Sequence, residues 1–191
     1  MDLTASLPTV PGDVVTLRQL AESDIDALFE MFGDADVVRY MSIPRLESRE
    51  QATAFLTSIN DHRDAGTLFQ WGIVRAGDTA ICGTCTLASI DREHERAELG
   101  FALGRRFRGT GLAHHAVSLL IAHAFGTMRL HRLEADVDPR NVASQRVLER
   151  LGFRQEGYQR ERHLVAGERQ DNMLYALLAS EWPRGRPADD V

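Results

Sequence analysis

A chain of 191 residues, 43% of them apolar and 26% charged, fits one domain and can bury a substantial core. Its formal charge of -6 argues against general nucleic-acid binding, which needs a concentrated basic face, and suits a cationic amine better. No apolar run is long enough to span a bilayer and no basic-then-apolar leader opens the chain, so a cytoplasmic protein without a membrane partner is expected.

Periodicity and breakers predict a strand over 14–18, helices over 24–32 and 49–63, and three successive strands over 68–75, 80–90 and 94–103. A helix over 109–126, a strand over 131–137, a helix over 141–151 and strands over 153–163 and 170–179 follow. Three strands in a row are not βαβ alternation. They favour an antiparallel meander joined to a parallel crossover, hence a mixed α/β sheet. One domain over 1–182 is expected, with a loose tail over 183–191. There is no internal repeat.

Cys82-Gly83-Thr84-Cys85 invites a redox or metal reading. On a strand, residues three apart face opposite ways and lie roughly 10 Å apart, beyond disulfide reach. No second C-x-x-C exists, and the spacing of His114, His115, His123 and His131 is no convincing ligand set, so no metal is expected. Two cysteines then read as buried thiols in a reduced compartment.

Residues 98–117, ELGFALGRRFRGTGLAHHAV, read as a strand, a glycine-bearing basic turn and the start of a helix. Ala97, Leu99, Phe101 and Leu103 form a core face, and Glu98 is the one large polar group on the nearly bare face of Gly100 and Ala102. In Arg106-Phe107-Arg108-Gly109-Thr110-Gly111 the glycines let the backbone approach a ligand, and the helix start adds unpaired donors. Such an order cradles a phosphate or pyrophosphate, with Arg105, Arg106 and Arg108 supplying mobile charge. A tight connection with solvated arginines is the plainer reading of the bare pattern. Val117, Leu120, Ile121, Ala124 and Phe125 repeat at helical spacing and bury the helix that follows.

A second cluster runs from Asp138 to Phe153. Asp138-Pro139 or Asn141 opens a helix and Gly152 closes it. Ser144 shares a face with Val147, Leu148 and Leu151, so its hydroxyl sits on the inward side and needs a partner. A serine bonded back to a carbonyl one turn earlier is the ordinary alternative.

The two clusters together resemble the GNAT superfamily of acyl-CoA-dependent N-acyltransferases, in which R/Q-x-x-G-x-G/A holds the CoA pyrophosphate. VVRYM at 37–41, the AELGFALG strand, G-x-G-x-A at 109–113 and N-x-x-S followed by VLERLGF are most similar to the RimJ and RimL branch of ribosomal-protein N-terminal acetyltransferases. The resemblance covers Val14 to Trp182 and implies the GNAT fold, a mixed, splayed sheet of about seven strands flanked by helices. It implies acetyl-CoA as cosubstrate, held by Arg106, Phe107, Arg108, Gly109, Thr110, Gly111, Leu112 and Ala113, by the backbone of Phe101, Ala102 and Leu103, and by Asn141. It also implies Glu98 as the base, with pairing to Arg96 or another arginine as its structural alternative.

Many members carry a tyrosine acid seven residues after the motif asparagine. Here that position is Leu148, which leaves Ser144 as the partner of the departing thiolate. His115 stands where the branch commonly has a glutamate, and is read either as a neighbour of the CoA 3'-phosphate or as a helix-surface histidine. Glu134 and Asp136 share a strand face and could hold an amine, with paired solvent or arginine contacts as the alternative; Tyr40 and Trp71 are candidates for the acceptor wall, Trp71 with a core role as its alternative. The segment 39–44 and the hairpin over 158–172, with its turn at 165–167, are the other walls.

The expected activity is transfer of an acetyl group from acetyl-CoA to a primary amine, favouring a protein or peptide amino terminus, by direct transfer in a ternary complex. A small-molecule acceptor (polyamine, amino acid or aminoglycoside) and a non-catalytic CoA-binding module are the alternatives. A P-loop is excluded, since no Lys-Ser/Thr follows Gly109-Thr110-Gly111. A homodimer is compatible with the sequence, which does not fix the oligomeric state.

Overall fold

The computed structural model describes residues 3–165 and 167–183, and builds them around one seven-stranded sheet. Its strands are β1 (Val15–Gln19), β2 (Leu68–Arg75), β3 (Ile81–Asp91), β4 (Arg96–Leu103), β5 (Arg132–Val137), β6 (Arg154–Val165) and β7 (Glu168–Leu178). They lie in the order β1-β2-β3-β4-β5-β7-β6, antiparallel everywhere except between β4 and β5. A parallel pair needs a crossover, and the helix Leu112–Gly126 supplies it. The sheet is mixed, as the run of three strands predicts.

The β4–β5 pairing is short. It joins Arg96 to Arg132, Ala97 to Leu133 and Glu98 to Glu134, and stops there. Beyond Glu98 the two strands diverge, leaving the backbone of β4 from Leu99 to Leu103 unpaired on its β5 side. The splay therefore opens immediately after the carboxylate that the sequence singles out.

Among the described residues five α-helices flank the sheet: α1 (Ile25–Phe32), α2 (Ala35–Val38), α3 (Arg49–Asp64), α4 (Leu112–Gly126) and α5 (Val142–Arg150). The α3 helix is capped by Ser48, whose hydroxyl accepts from the Gln51 N–H at 3.3 Å. Helix α2 is not visible in the periodicity because it is one turn long; Asp34 caps it by accepting from the Asp36 N–H at 2.8 Å. Helix α4 starts three residues later than the spacing predicts. Gly109 and Gly111 take φ of +75° and +84°, outside the right-handed helix, so the helix begins only at Leu112.

On one sheet face, Trp71, Leu99 and Leu103 pack with Val117, Leu120 and Ile121 of α4. On the other, Val74, Ile81 and Ala102 pack beneath Leu28 and Phe32 of α1 and Leu56 and Ile59 of α3. This second core corrects the reading of the Glu98 face as nearly bare. Ala102 is covered, and only the part of the face carrying Glu98 and Gly100 stays open. Trp71 is core, its indole N–H donating to the Pro8 carbonyl at 3.0 Å.

The cysteine geometry also differs from expectation. Ile73 pairs with Gly83 but Val74 pairs with Ile81, so Cys82 is the extra residue of a bulge. The bulge shifts the alternation by one, and Cys82 and Cys85 enter the same core instead of opposite faces. Both are free and buried, and burial raises each thiol above its ordinary pKa. Of the expected tail, 184–191 lies outside the described residues, as does Ala166 of the hairpin turn. No helix among the described residues is long and apolar enough to cross a membrane.

Candidate active site

Two cavities meet beneath the splay. The first, about 340 Å³, runs from the glycine turn along the unpaired edge of β4. Phe101, Ala102, Leu103, Arg108, Gly109 and Ala113 line it, with Asn141 and Ser144 at its inner end. A Cβ built at Gly109 or Gly111 would meet nothing within 4 Å, so the space over both backbones is open. Among the described residues no backbone carbonyl accepts from the N–H groups of Gly109 through Ala113. Five successive free donors at the positive end of α4 form a cradle fitted to a pyrophosphate, and the unpaired edge of β4 offers peptide groups to an extended amide-bearing arm.

The arginines divide their work. Arg108 donates to the Leu103 carbonyl at 3.4 Å and the Asp36 carbonyl at 3.0 Å, fastening α2 to the mouth of this cavity. Arg106 instead donates to both carboxylate oxygens of Glu30 at 2.7 and 2.9 Å, and Arg105 pairs with Asp36 at 3.1 Å. Thus the positive island expected from three arginines is largely neutralised locally. Arg106 and Phe107 line a separate cavity beside α1, and the Leu112 side chain is buried in the core. Thr110 donates to the Phe107 carbonyl at 2.6 Å and shapes the turn. Of these four, only backbone groups remain available to the cradle without rearrangement. His115 is half-buried on α4 and lines none of the cavities described in this section.

The second cavity, about 210 Å³, shares Tyr40, Met41, Phe101, Asn141 and Ser144 with the first. It adds Glu98 and Asp136 from the strands, Asp138 just past the end of β5, and His163, Asp171 and Asn172 from the β6–β7 hairpin. Glu98 is half-buried and pairs with no arginine among the described residues; Arg96 reaches Asp91 at 3.4 Å and Glu134 at 3.5 Å instead. Glu134 is further tied to Arg132 at 2.7 Å. Asp136 alone of that pair faces the cavity, with His163 at 3.7 Å.

Burial, and next the negative charge of Asp136, raises the Glu98 carboxyl above its ordinary value; Ser89 and His163 pull more weakly the other way. Ser89 donates to Glu98 at 3.4 Å from a second bulge, where φ is +51°, a conformation a serine rarely adopts. Neither Ser89 nor His163 is marked by any motif or spacing. A bulge on β3 and a cross-hairpin approach are long-range features, and only the unusual φ marks the first of them.

Asn141 is the cap of α5, its side-chain oxygen accepting from the Ser144 N–H at 3.2 Å. That settles which residue opens the helix and fixes Ser144 one turn in. The Ser144 hydroxyl has no hydrogen-bond partner among the described residues, so it is not bonded back to the helix and faces the junction of the two cavities. Leu148, where a tyrosine acid is common, is fully buried.

An anion cradle feeding along a splayed strand to a junction of hydroxyl and carboxylate is an arrangement suited to acyl transfer from a CoA thioester. Residues 15–154 match the acetyltransferase (GNAT) domain, and the chain belongs to this family of N-acetyltransferases, as the sequence motifs imply. It is 34% identical over 176 residues to the uncharacterized N-acetyltransferase p20 of Bacillus licheniformis, covering 92% of this chain and 99% of that one. It is 32% identical over 134 residues to the ribosomal protein uS5 alanine N-acetyltransferase of Escherichia coli, covering 70% and 69%. The structure of Mycobacterium smegmatis RimJ in complex with CoA-disulfide superposes with a TM-score of 0.82 at 24% identity, over 95% of this chain and 88% of that one, and shares the fold.

Proposed function

We propose that this protein transfers an acetyl group from acetyl-CoA to the α-amine of a protein or peptide amino terminus, by direct attack within a ternary complex. The observation that carries this reading is the junction itself. One cavity, largely apolar and ending on the glycine cradle, meets an acid-lined cavity at Ser144, with Glu98 on the far side. The thioester supplies the acyl carbon and a thiolate leaving group. Glu98 takes the proton from the amine, the Ser144 hydroxyl donates a hydrogen bond to the sulfur as the C–S bond breaks, and Asp136 and Asp171 attract the cationic acceptor before it loses its proton, Asp138 being already paired with Arg140 at 2.7 Å. Neither thiol competes as a nucleophile, since Cys82 and Cys85 are buried in the core with raised pKa. The buried free thiols also suit a reducing cytoplasm.

The acceptor assignment draws on the uS5 alanine acetyltransferase relative and on proton energetics. At pH 7, deprotonation costs about 1 kcal/mol for an α-amine of pKa near 7.8, and about 4.6 kcal/mol for a lysine-like amine of pKa near 10.4. Glu98 with a raised pKa matches the easier task. Peptides with a free α-amine should therefore be acetylated faster than amino-blocked peptides bearing lysine, read by CoA release. Efficient acetylation of spermidine or free amino acids with no peptide modified would replace this acceptor by a small molecule. Ser144→Ala should lower turnover about tenfold or more while CoA affinity changes little. Loss of affinity with turnover intact would make Ser144 a contact to the pantetheine arm.

A further inference from the structure

A third cavity, about 350 Å³, opens on the other side of Glu98, between the sheet and α3. Its floor is set by register. Thr86 pairs with both Gln70 and Gly100, and Thr84 with both Gly72 and Ala102, so two rows across β2, β3 and β4 hold only small or uncharged polar residues, and a third runs Leu68, Ala88, Glu98. Phe32, Phe55 and Ile59 wall it, with Ser58 and His62 at the exposed rim. Among the described residues Glu98 is the only carboxylate that lines it, in contrast to the acid-lined cavity beyond.

Gln70 is the telling residue. It is 6% exposed and lines the cavity, yet its amide has no hydrogen-bond partner among the described residues. Its small exposure opens into the cavity, so the amide is a donor and acceptor within reach of whatever enters. Gly100 leaves the path from Glu98 clear; a Cβ there would touch only Thr86, at 3.9 Å.

We infer that this cavity is a subsite for the side chain of the acceptor's first residue, and that it takes an uncharged side chain ending in an amide or hydroxyl. The inference rests on the amino-terminal reading above. With the α-amine at Glu98, the peptide has two ways to extend. The acid-lined cavity, bounded by mobile-length polar side chains of the hairpin, accepts the onward backbone, and the uncharged cavity accepts the side chain, which passes Gly100 and Thr86 toward Gln70. A carboxylate there would lie among aromatic and aliphatic walls beside Glu98, and an ammonium would compete with the α-amine for Glu98, costs that a neutral amide avoids.

The test is a set of otherwise identical peptides beginning with Gln, Met, Leu, Glu or Lys, assayed by CoA release with the intact protein and with Gln70→Met. Gln and Met are close in size, so their ratio reports the hydrogen bond and not the volume. The protein should acetylate the Gln-first peptide about fivefold to tenfold faster than the Met-first one, and Glu- or Lys-first peptides most slowly. Gln70→Met, which replaces an unpartnered polar group by an apolar one and should fold, is expected to bring the Gln:Met ratio to one or below. Thr86→Val should reduce the ratio in the same direction by a smaller factor. Equal rates across the set, a preference for charged first residues, or an unchanged ratio in Gln70→Met would overturn the subsite while leaving amino-terminal acetylation standing. Absence of acetylation on every peptide, with CoA still bound, would overturn the amino-terminal reading and the subsite with it.

Discussion

Gly111→Val is expected to abolish CoA binding, by about 100-fold or more in calorimetry, in a protein that still folds. The N–H groups from Gly109 to Ala113 are without backbone acceptors, and the space above Gly111 is open, so a branched side chain would occupy the volume where a pyrophosphate must approach. At φ of +84° valine also costs about 1–3 kcal/mol in backbone strain. That is tolerable against a typical domain stability of about 5–15 kcal/mol. Arg106→Ala should do far less. Arg106 is engaged with Glu30, and an exposed charge near a helix start contributes only about 0.3–2 kcal/mol. Wild-type CoA affinity in folded Gly111→Val would contradict the cradle.

Glu98→Gln should lower turnover about 100-fold or more, with CoA affinity nearly unaltered, because general-base catalysis typically contributes about 10²–10⁴-fold. The pH dependence gives a second signature. A base acts only when ionised, and Glu98 is held above the ordinary carboxylate value first by burial and then by Asp136. Turnover should therefore fall on the acid side at a pH above the usual carboxylate range. Asp136→Asn removes a nearby negative charge, lowers the Glu98 pKa and moves that acid limb to lower pH. Turnover in Glu98→Gln equal to the wild type across pH 6 to 9 would leave Glu98 a structural carboxylate.

Much of the architecture was legible because it is local. The core face of β4, the inward stripe of α4 and the capping of α5 each follow from spacing within one element, and the glycine turn declares itself through residues that tolerate positive φ. What escaped was set by pairing across the sheet. A one-residue bulge brought Cys82 into the same core as Cys85, which it was expected to oppose, and another turned Ser89 onto Glu98; neither extra residue has a composition that marks it. The diversion of Arg106 to Glu30 joins residues 76 apart in the chain, and the Gln70 cavity needs the relative register of β2, β3 and β4 before its floor exists. The sequence motifs thus reach the family and the residues proposed for the transfer, but not the cavity proposed to read the acceptor.

The central claim is direct transfer from a bound thioester to an α-amine at Glu98. Its most direct test is to mix the protein with a stoichiometric amount of acetyl-CoA, add a peptide that carries both a free amino terminus and a lysine, and follow protein and peptide together by mass spectrometry. The acetyl group should appear on the amino-terminal nitrogen of the peptide, at the rate at which CoA is released, with the protein unmodified at every time. Acetyl accumulating first on the protein, or ending on the lysine while the amino terminus stays free, would contradict it.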